Sequence, residues 1–234
     1  MNTVQTEWNV ARRQIVSNAA SIGVAVAMYG VSFGALGTTT GLTIPQTMAL
    51  SLLMFTGASQ FTLVSTLASG GTALTAVIAS WLMGTRNAAY SMRMTPILKT
   101  AGPGKIVAVQ LTIDESTAMG LAQDEEAFEG RASRLAFWAT GLSVYLLWNL
   151  ATFIGVVSVS AIGDPKSFGL DAAIAAGLFA LVWPQIKSRT DLSVAFGGAL
   201  IALALTPVVP PGVPVLAAAI VALIVGWVTG RKLS

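Results

Sequence analysis

The chain has 234 residues, 54% of them hydrophobic and only 10% charged, with a mean hydropathy of +0.74. A soluble domain carries roughly 25% charged residues, so this sequence cannot cover a water-facing surface and reads as an integral membrane protein in a lipid bilayer. It has no cysteine and no histidine, which excludes thiol redox chemistry, thiolate or imidazole metal sites and histidine-based triads.

No enzyme activity, cofactor or metal is expected, and any proton chemistry must run on Asp, Glu, Lys or Tyr. The net charge of +3 reports basic inner loops rather than a nucleic-acid surface.

Residues 1–14, MNTVQTEWNVARRQ, read as a polar cytoplasmic tail carrying Arg12 and Arg13. A long span follows rather than a short apolar core with a cleavage site, so no removable signal peptide is expected. Residues 15–230 read as one integral membrane domain. The apolar runs exceed about 18 residues several times, the mark of helical spans rather than a barrel. The expected class is an all-α, polytopic helical membrane protein of about seven or eight membrane helices, with room for discontinuous ones.

Span 1 is expected from about Ile15 to Leu36. Ala19, Gly23, Ala27, Gly30 and Gly34 recur there at steps of four and three, placing small residues on one face for close helix contact. The loop TTTGLTI leads to Pro45, suited to a first helical position, and span 2 follows from about Pro45 to Leu67. Span 3 covers about Ala73 to Leu98, before TAGPGK breaks the helix. Residues 106–121, IVAVQLTIDESTAMGL, are half-apolar, and QDEEAFEGR is a hydrophilic loop. Spans 4 to 7 are expected at about Leu135–Val159, Leu170–Ile186, Leu192–Val208 and Val215–Val228, with the turn PPGVP before the last.

Basic residues set the orientation. Arg12/Arg13, Arg131/Arg134, Lys187/Arg189 and Arg231/Lys232 should be cytoplasmic, with both termini inside; the loops TTTGLTI and PPGVP carry no Lys or Arg and should face out. From Arg13 to Arg131 this requires an even number of crossings, whereas spans 1 to 3 supply three. Either residues 106–121 cross as a polar fourth helix, the favoured reading, or an earlier segment dips and returns. An inverted repeat, with the polar break in span 2 echoed at Pro184 in span 5, is a further expectation of the kind many transporters satisfy.

Four constellations stand out. FTGASQF places Gly57, Ala58, Ser59 and Gln60 at the centre of span 2. One reading is a discontinuous helix whose freed backbone groups bind a substrate at mid-membrane; the other is a continuous helix with Gln60 bonded across a packed face. Arg86, Tyr90 and Arg93 share a face of span 3. A deep arginine needs a partner or water, so Arg86 is either an anion site or a partner for Asp114 and Glu115. Arg93 snorkels at the membrane edge. Asp114 and Glu115 are the candidate proton carriers, because burial favours the protonated carboxyl. Their side chains diverge by about 100° on a helix, so at most one should face the path; the alternative is a surface helix with two solvated acids. Trp183 and Pro184 form a tolerated kink or a gate. Tyr29 and Phe33 flank Gly30, either lining an apolar pocket or packing in the core.

The run YGVSFGALGTTTGLTIPQTMALSLLMFTGASQFTLVSTLASGG resembles the opening half of the AzlC-type branched-chain amino acid permeases. TRNAAYSM, Thr85 to Met92, is similar to that family's arginine-containing segment, and IDES, Ile113 to Ser116, to its acidic motif. Two positions depart from the pattern: Asn87 stands where the family often has histidine, and Ile113 where it has threonine. The resemblance implies export of branched-chain and other apolar amino acids across a bacterial inner membrane, with a small AzlD-like membrane subunit as partner. The expected activity is alternating-access transport of Leu, Ile, Val and Met-like substrates by proton antiport. Gly57, Ser59 and Gln60 would hold the substrate backbone, Arg86 would attract its carboxylate or pair with the acids, Ala58 and Asn87 would join the substrate-binding set, and Asp114 or Glu115 would carry the proton. A passive channel for small solutes is the alternative.

Overall fold

The computed structural model describes residues 3–123, 127–162 and 186–209, and residues 179, 183, 213, 214, 217, 218, 220, 221, 224 and 225. Most of the spans expected at 170–186 and 215–228, with Pro184, therefore lie outside the described residues. Within them the chain is helical, without strands: α1 (Thr3–Thr39), α2 (Ile44–Leu53), α3 (Ala58–Ala68), α4 (Ala73–Leu98), α5 (Pro103–Gln110), α6 (Asp114–Leu121), α7 (Arg131–Ile162) and α8 (Arg189–Leu205). The polar N-terminal segment is helical from Thr3 and continuous with α1.

Among the described residues two helices, α1 and α7, are long and apolar enough to cross a membrane. They run parallel. Trp8 meets Phe128 with ring centroids 5.2 Å apart, Ile15 packs with Ala132 and Ala136, and Gly23, Gly30 and Gly34 lie against Ser143, Trp148 and Thr152 in turn. The small-residue face of α1 has its physical reason here. A Cβ on Gly34 would run into the Thr152 carbonyl, one on Gly155 into the Val31 carbonyl, and one on Gly30 would sit 2.9 Å from the Trp148 carbonyl. Three glycines thus let the two backbones approach where any side chain would hold them apart.

α2 and α3 are not one span. α2 starts on a Thr43–Gln46 capping box with Pro45 in its first turn, then descends along α7. Ser51 Oγ donates to Asn149 Oδ1 at 2.7 Å, and Phe55 meets Tyr145 edge-on with centroids 5.0 Å apart. The chain then reverses, because Gln60 Nε2 reaches back to the Leu50 carbonyl at 2.9 Å. In a straight helix those residues would be about 15 Å apart along the axis. Each arm is about 15 Å long, so the pair forms a hairpin of two half-length helices.

α4 runs antiparallel to α7: Met94 and Phe137 meet at Gly120, and Lys99 shares a groove with Glu129 and Arg134. Residues 106–121 are expected to cross as one helix; instead residues 103–121 form a second hairpin, which corrects that reading. Just past the end of α5, Leu111 lies against Gly141; α6 returns from there, with Ser116 against Gly141 and Gly120 against Phe137. Ser116 Oγ donates to the Leu111 carbonyl at 2.6 Å across the reversal. A second reversal resembling the first thus lies at residues 111–113, while the expected echo at Pro184 falls outside the described residues. The two hairpins enter from opposite ends of α7 and meet tip to tip halfway along it. Phe55 and Phe61 of the first hairpin and Ala108, Leu111 and Ile113 of the second belong to one core, in which Phe33, Phe61 and Trp148 have ring centroids 5.7 to 6.2 Å apart.

Gly34→Ala and Gly155→Ala are expected to destabilise the purified protein by about 1–3 kcal/mol each through overpacking against backbone. Gly104→Ala, whose Cβ would meet nothing closer than 4.0 Å, should leave the melting temperature unchanged in the same thermal scan.

Candidate functional site

The first tip begins where α2 ends at Leu53 and α3 starts at Ala58. Gly57 between them is at φ +62°, a conformation that side chains disfavour. The reversal frees backbone groups that must be satisfied away from water, and side chains from four helices do so. Gln60 of α3 accepts from the Gly57 N–H at 3.0 Å through Oε1 and donates to the Leu50 carbonyl through Nε2. The Leu52 carbonyl accepts from Gln110 Nε2 of α5 at 2.8 Å and from the Tyr145 hydroxyl of α7 at 3.2 Å. The Thr56 carbonyl accepts from Arg86 Nη2 of α4 at 3.3 Å.

The second tip repeats the device with a smaller residue. Ser116 Oγ accepts from the Ile113 N–H at 3.1 Å and donates to the Leu111 carbonyl, as Gln60 does in the first tip. Asn87 Nδ2 donates to the Thr112 carbonyl at 3.3 Å. Adjacent residues at the midpoint of α4 thus hold one tip each: Arg86 the first, Asn87 the second. Arg86 also reaches the second tip, where Nη1 lies 2.8 Å from Asp114 Oδ2.

Between the tips is a cavity of ≈ 240 Å³, below the roughly 300–1,000 Å³ of sites for drug-sized ligands. Gly57 and Ala58 border it from the start of α3, and Asp114 and Glu115 from the start of α6, with Arg86 beside them. Val26, Phe55, Met83, Ile113, Val144 and Trp148 supply an apolar wall. Both half-helix N-termini therefore face it, with the unsatisfied N–H groups and positive dipole end that a first turn carries. Several buried side-chain atoms at this level have no hydrogen-bond partner: Arg86 Nε, Asp114 Oδ1, Thr56 Oγ1 and Trp148 Nε1.

Five of the residues singled out from sequence, Gly57, Ala58, Arg86, Asp114 and Glu115, are brought together here. Both acids border the cavity, where at most one was expected, because they open α6 end-on rather than pointing sideways from a helix wall. Gln60 is fully buried with both amide ends committed to the tip, so it shapes the site without lining it, and Asn87 does the same for the second tip.

Ser59 lies on the other side of the first tip, in a recess with Ser80 and Gly84. Phe33 is enclosed by rings, and Tyr29 packs at the edge of that core. Exposed Trp183 meets Phe179 with centroids 5.4 Å apart. Tyr90 stands in electrostatic contact with Asp114, whereas Arg93 is exposed at the end of α4.

The sequence profile of the AzlC protein family matches residues 21–162. The chain belongs to the AzlC family. The match runs from the first turns of the glycine face of α1 to the end of α7, so it contains both hairpins and every residue of the cavity. No curated protein and no solved structure matches the chain. The AzlC family is associated with branched-chain amino acid transport.

Trp148, Gln110 and Ser116 act at the site without having been assigned a role from sequence. Asn149, a polar residue mid-way along an apolar span beside Trp148, was the available signal for the first. Gln110 and Ser116 are recognisable only once residues 103–121 are seen to reverse.

Gln60→Ala should leave the Gly57 N–H and the Leu50 carbonyl short of a partner, at about 1–3 kcal/mol per unsatisfied buried group. Hydrogen exchange is expected to accelerate at residues 54–60 while the α1–α7 interface stays protected.

Proposed function

We propose that this AzlC-family chain is the transport subunit of an exporter for branched-chain and other apolar amino acids in a bacterial inner membrane. In this reading α1, α4 and α7 cross the bilayer, both termini are cytoplasmic, and the hairpins enter from opposite faces. A small AzlD-like membrane subunit is the proposed partner. The observation that supports the reading is the cavity between the tips, which brings a cation, two acids and an apolar wall together.

An amino acid zwitterion matches those groups. Its carboxylate would take the N–H groups opening α3 and the free Nε of Arg86. Its ammonium would take Asp114 and Glu115, where Asp114 Oδ1 has no other partner. A branched apolar side chain would lie against Val144, Met83 and Trp148.

Proton antiport follows from competition. An ammonium binds these carboxylates only when they are ionised, and a proton arriving from outside removes the charge that holds it. Substrate and proton then exclude one another, which is the requirement for exchange. Arg86 keeps the tips together meanwhile, and Gly57 offers the backbone freedom for the first tip to move.

In liposomes with an imposed pH difference, the chain with its partner should move leucine against a leucine gradient. Asp114→Asn should lower the coupled flux by at least about 10-fold, the effect of roughly 1.4 kcal/mol. Leucine flux indifferent to the pH difference would support a passive channel instead.

A further inference from the structure

A second cavity, of ≈ 610 Å³, lies apart from the one between the tips. It lies where α4 ends and α7 begins, and the transport reading leaves it without a role. Arg93, Lys99 and Arg134 line it, with Met92, Pro96 and Ile97 forming an apolar side. Glu129 is the one acid in the lining. Arg134 donates to the Glu129 backbone carbonyl at 3.1 Å rather than to its carboxylate. The only ion pair among the described residues is Arg86–Asp114, so these three cations have no described carboxylate partner.

The backbone is shaped to bring them together. Lys99 caps α4 at φ +51°, and Phe128, Glu129 and Gly130 sit at φ +53°, +56° and +70° in the turn before α7. Such left-handed residues cost energy outside glycine and persist where surroundings demand them. Depth supports a lipid. Lys99 is about 20 Å along α4 from Arg86, which places it at the interface if Arg86 is near the middle of a roughly 30 Å core. Arg93, about 10 Å from Arg86, is long enough to snorkel to the same level.

We propose that this groove binds the phosphate headgroup of an anionic lipid of the inner leaflet, its acyl chain lying along Met92, Pro96 and Ile97. Basic pockets between helices on the cytoplasmic side take such headgroups. The proposal rests on the membrane orientation given above but not on the substrate or on coupling.

The test is lipid retention by native mass spectrometry on the full chain in detergent, with short-chain phosphatidylglycerol, short-chain phosphatidylcholine and inorganic phosphate as probes. Phosphatidylglycerol should be retained in preference to phosphatidylcholine, and inorganic phosphate should fail to displace it. R93Q/K99Q/R134Q should weaken retention roughly 10- to 100-fold. Because Arg134 also holds the turn, R93Q/K99Q serves as a second variant and should show a smaller loss with an unchanged melting temperature in phosphatidylcholine.

Equal retention of the two lipids would overturn the proposal. So would unchanged retention in the double variant, or displacement by inorganic phosphate, which would mark a soluble-anion site. Leucine flux is read separately, so a failed transport reading leaves this result interpretable.

Discussion

Arg86 sits at the midpoint of α4 and donates to two chain reversals that share no other side chain from that helix. One guanidinium edge takes the Thr56 carbonyl and the other faces the Asp114 carboxylate. A cation at that depth is costly without partners, and both partners are there because the helices around it are broken. The dependence is mutual. The breaks expose a carbonyl and a helix N-terminus, and Arg86 with Asp114 offsets their cost. Asn87 completes the arrangement on the second tip. The cavity is what remains between two half-helices held at this separation.

The frame around the tips is set by glycine. α1 and α7 approach so closely at Gly30, Gly34 and Gly155 that backbone meets backbone, and Gly141 leaves space for the second tip at Leu111. With α1 and α7 parallel and α4 antiparallel to them, one hairpin must start at each end of the bundle. The two tips then meet with opposite polarity. Their staples differ in size but act alike, Gln60 in one and Ser116 in the other, each joining the N–H opening its own helix to a carbonyl of the preceding arm. Opposed half-helices offering N-terminal dipoles to a central cavity are a physical basis for holding a charged solute away from water.

Much of this was legible in the sequence. The small-residue face of span 1 was visible as spacing, α4 was delimited from Ala73 to Leu98, and the break at Gly57 was signalled by polar residues inside an apolar run. The pairing of Arg86 with an acid at 114 or 115 was one of two open readings. The reversals were not legible, because a hairpin of half-helices and a single broken span share one hydropathy pattern. The parity of the basic loops offered both solutions, a crossing at residues 106–121 or an earlier segment that returns; in the structure both segments return. What decides between them is long-range hydrogen bonding, such as Gln60 to Leu50 or Gln110 to Leu52, which no local pattern carries. Ser116 was hidden for the same reason, since a serine inside IDES reads as an ordinary helix residue until its hydroxyl is seen to cap a tip.

The central claim is that two hairpins enter from opposite faces of the membrane. The absence of cysteine allows a direct measurement with single cysteines at Thr40, Gly71, Ala101 and Gln123 and a membrane-impermeant thiol reagent applied to intact cells. Positions 40 and 71, flanking the first hairpin, should both label from outside. Positions 101 and 123, flanking the second, should both label only after the membrane is opened. Labelling of 40 and 71, or of 101 and 123, from opposite faces would show that the segment crosses, and would contradict the arrangement on which the site depends.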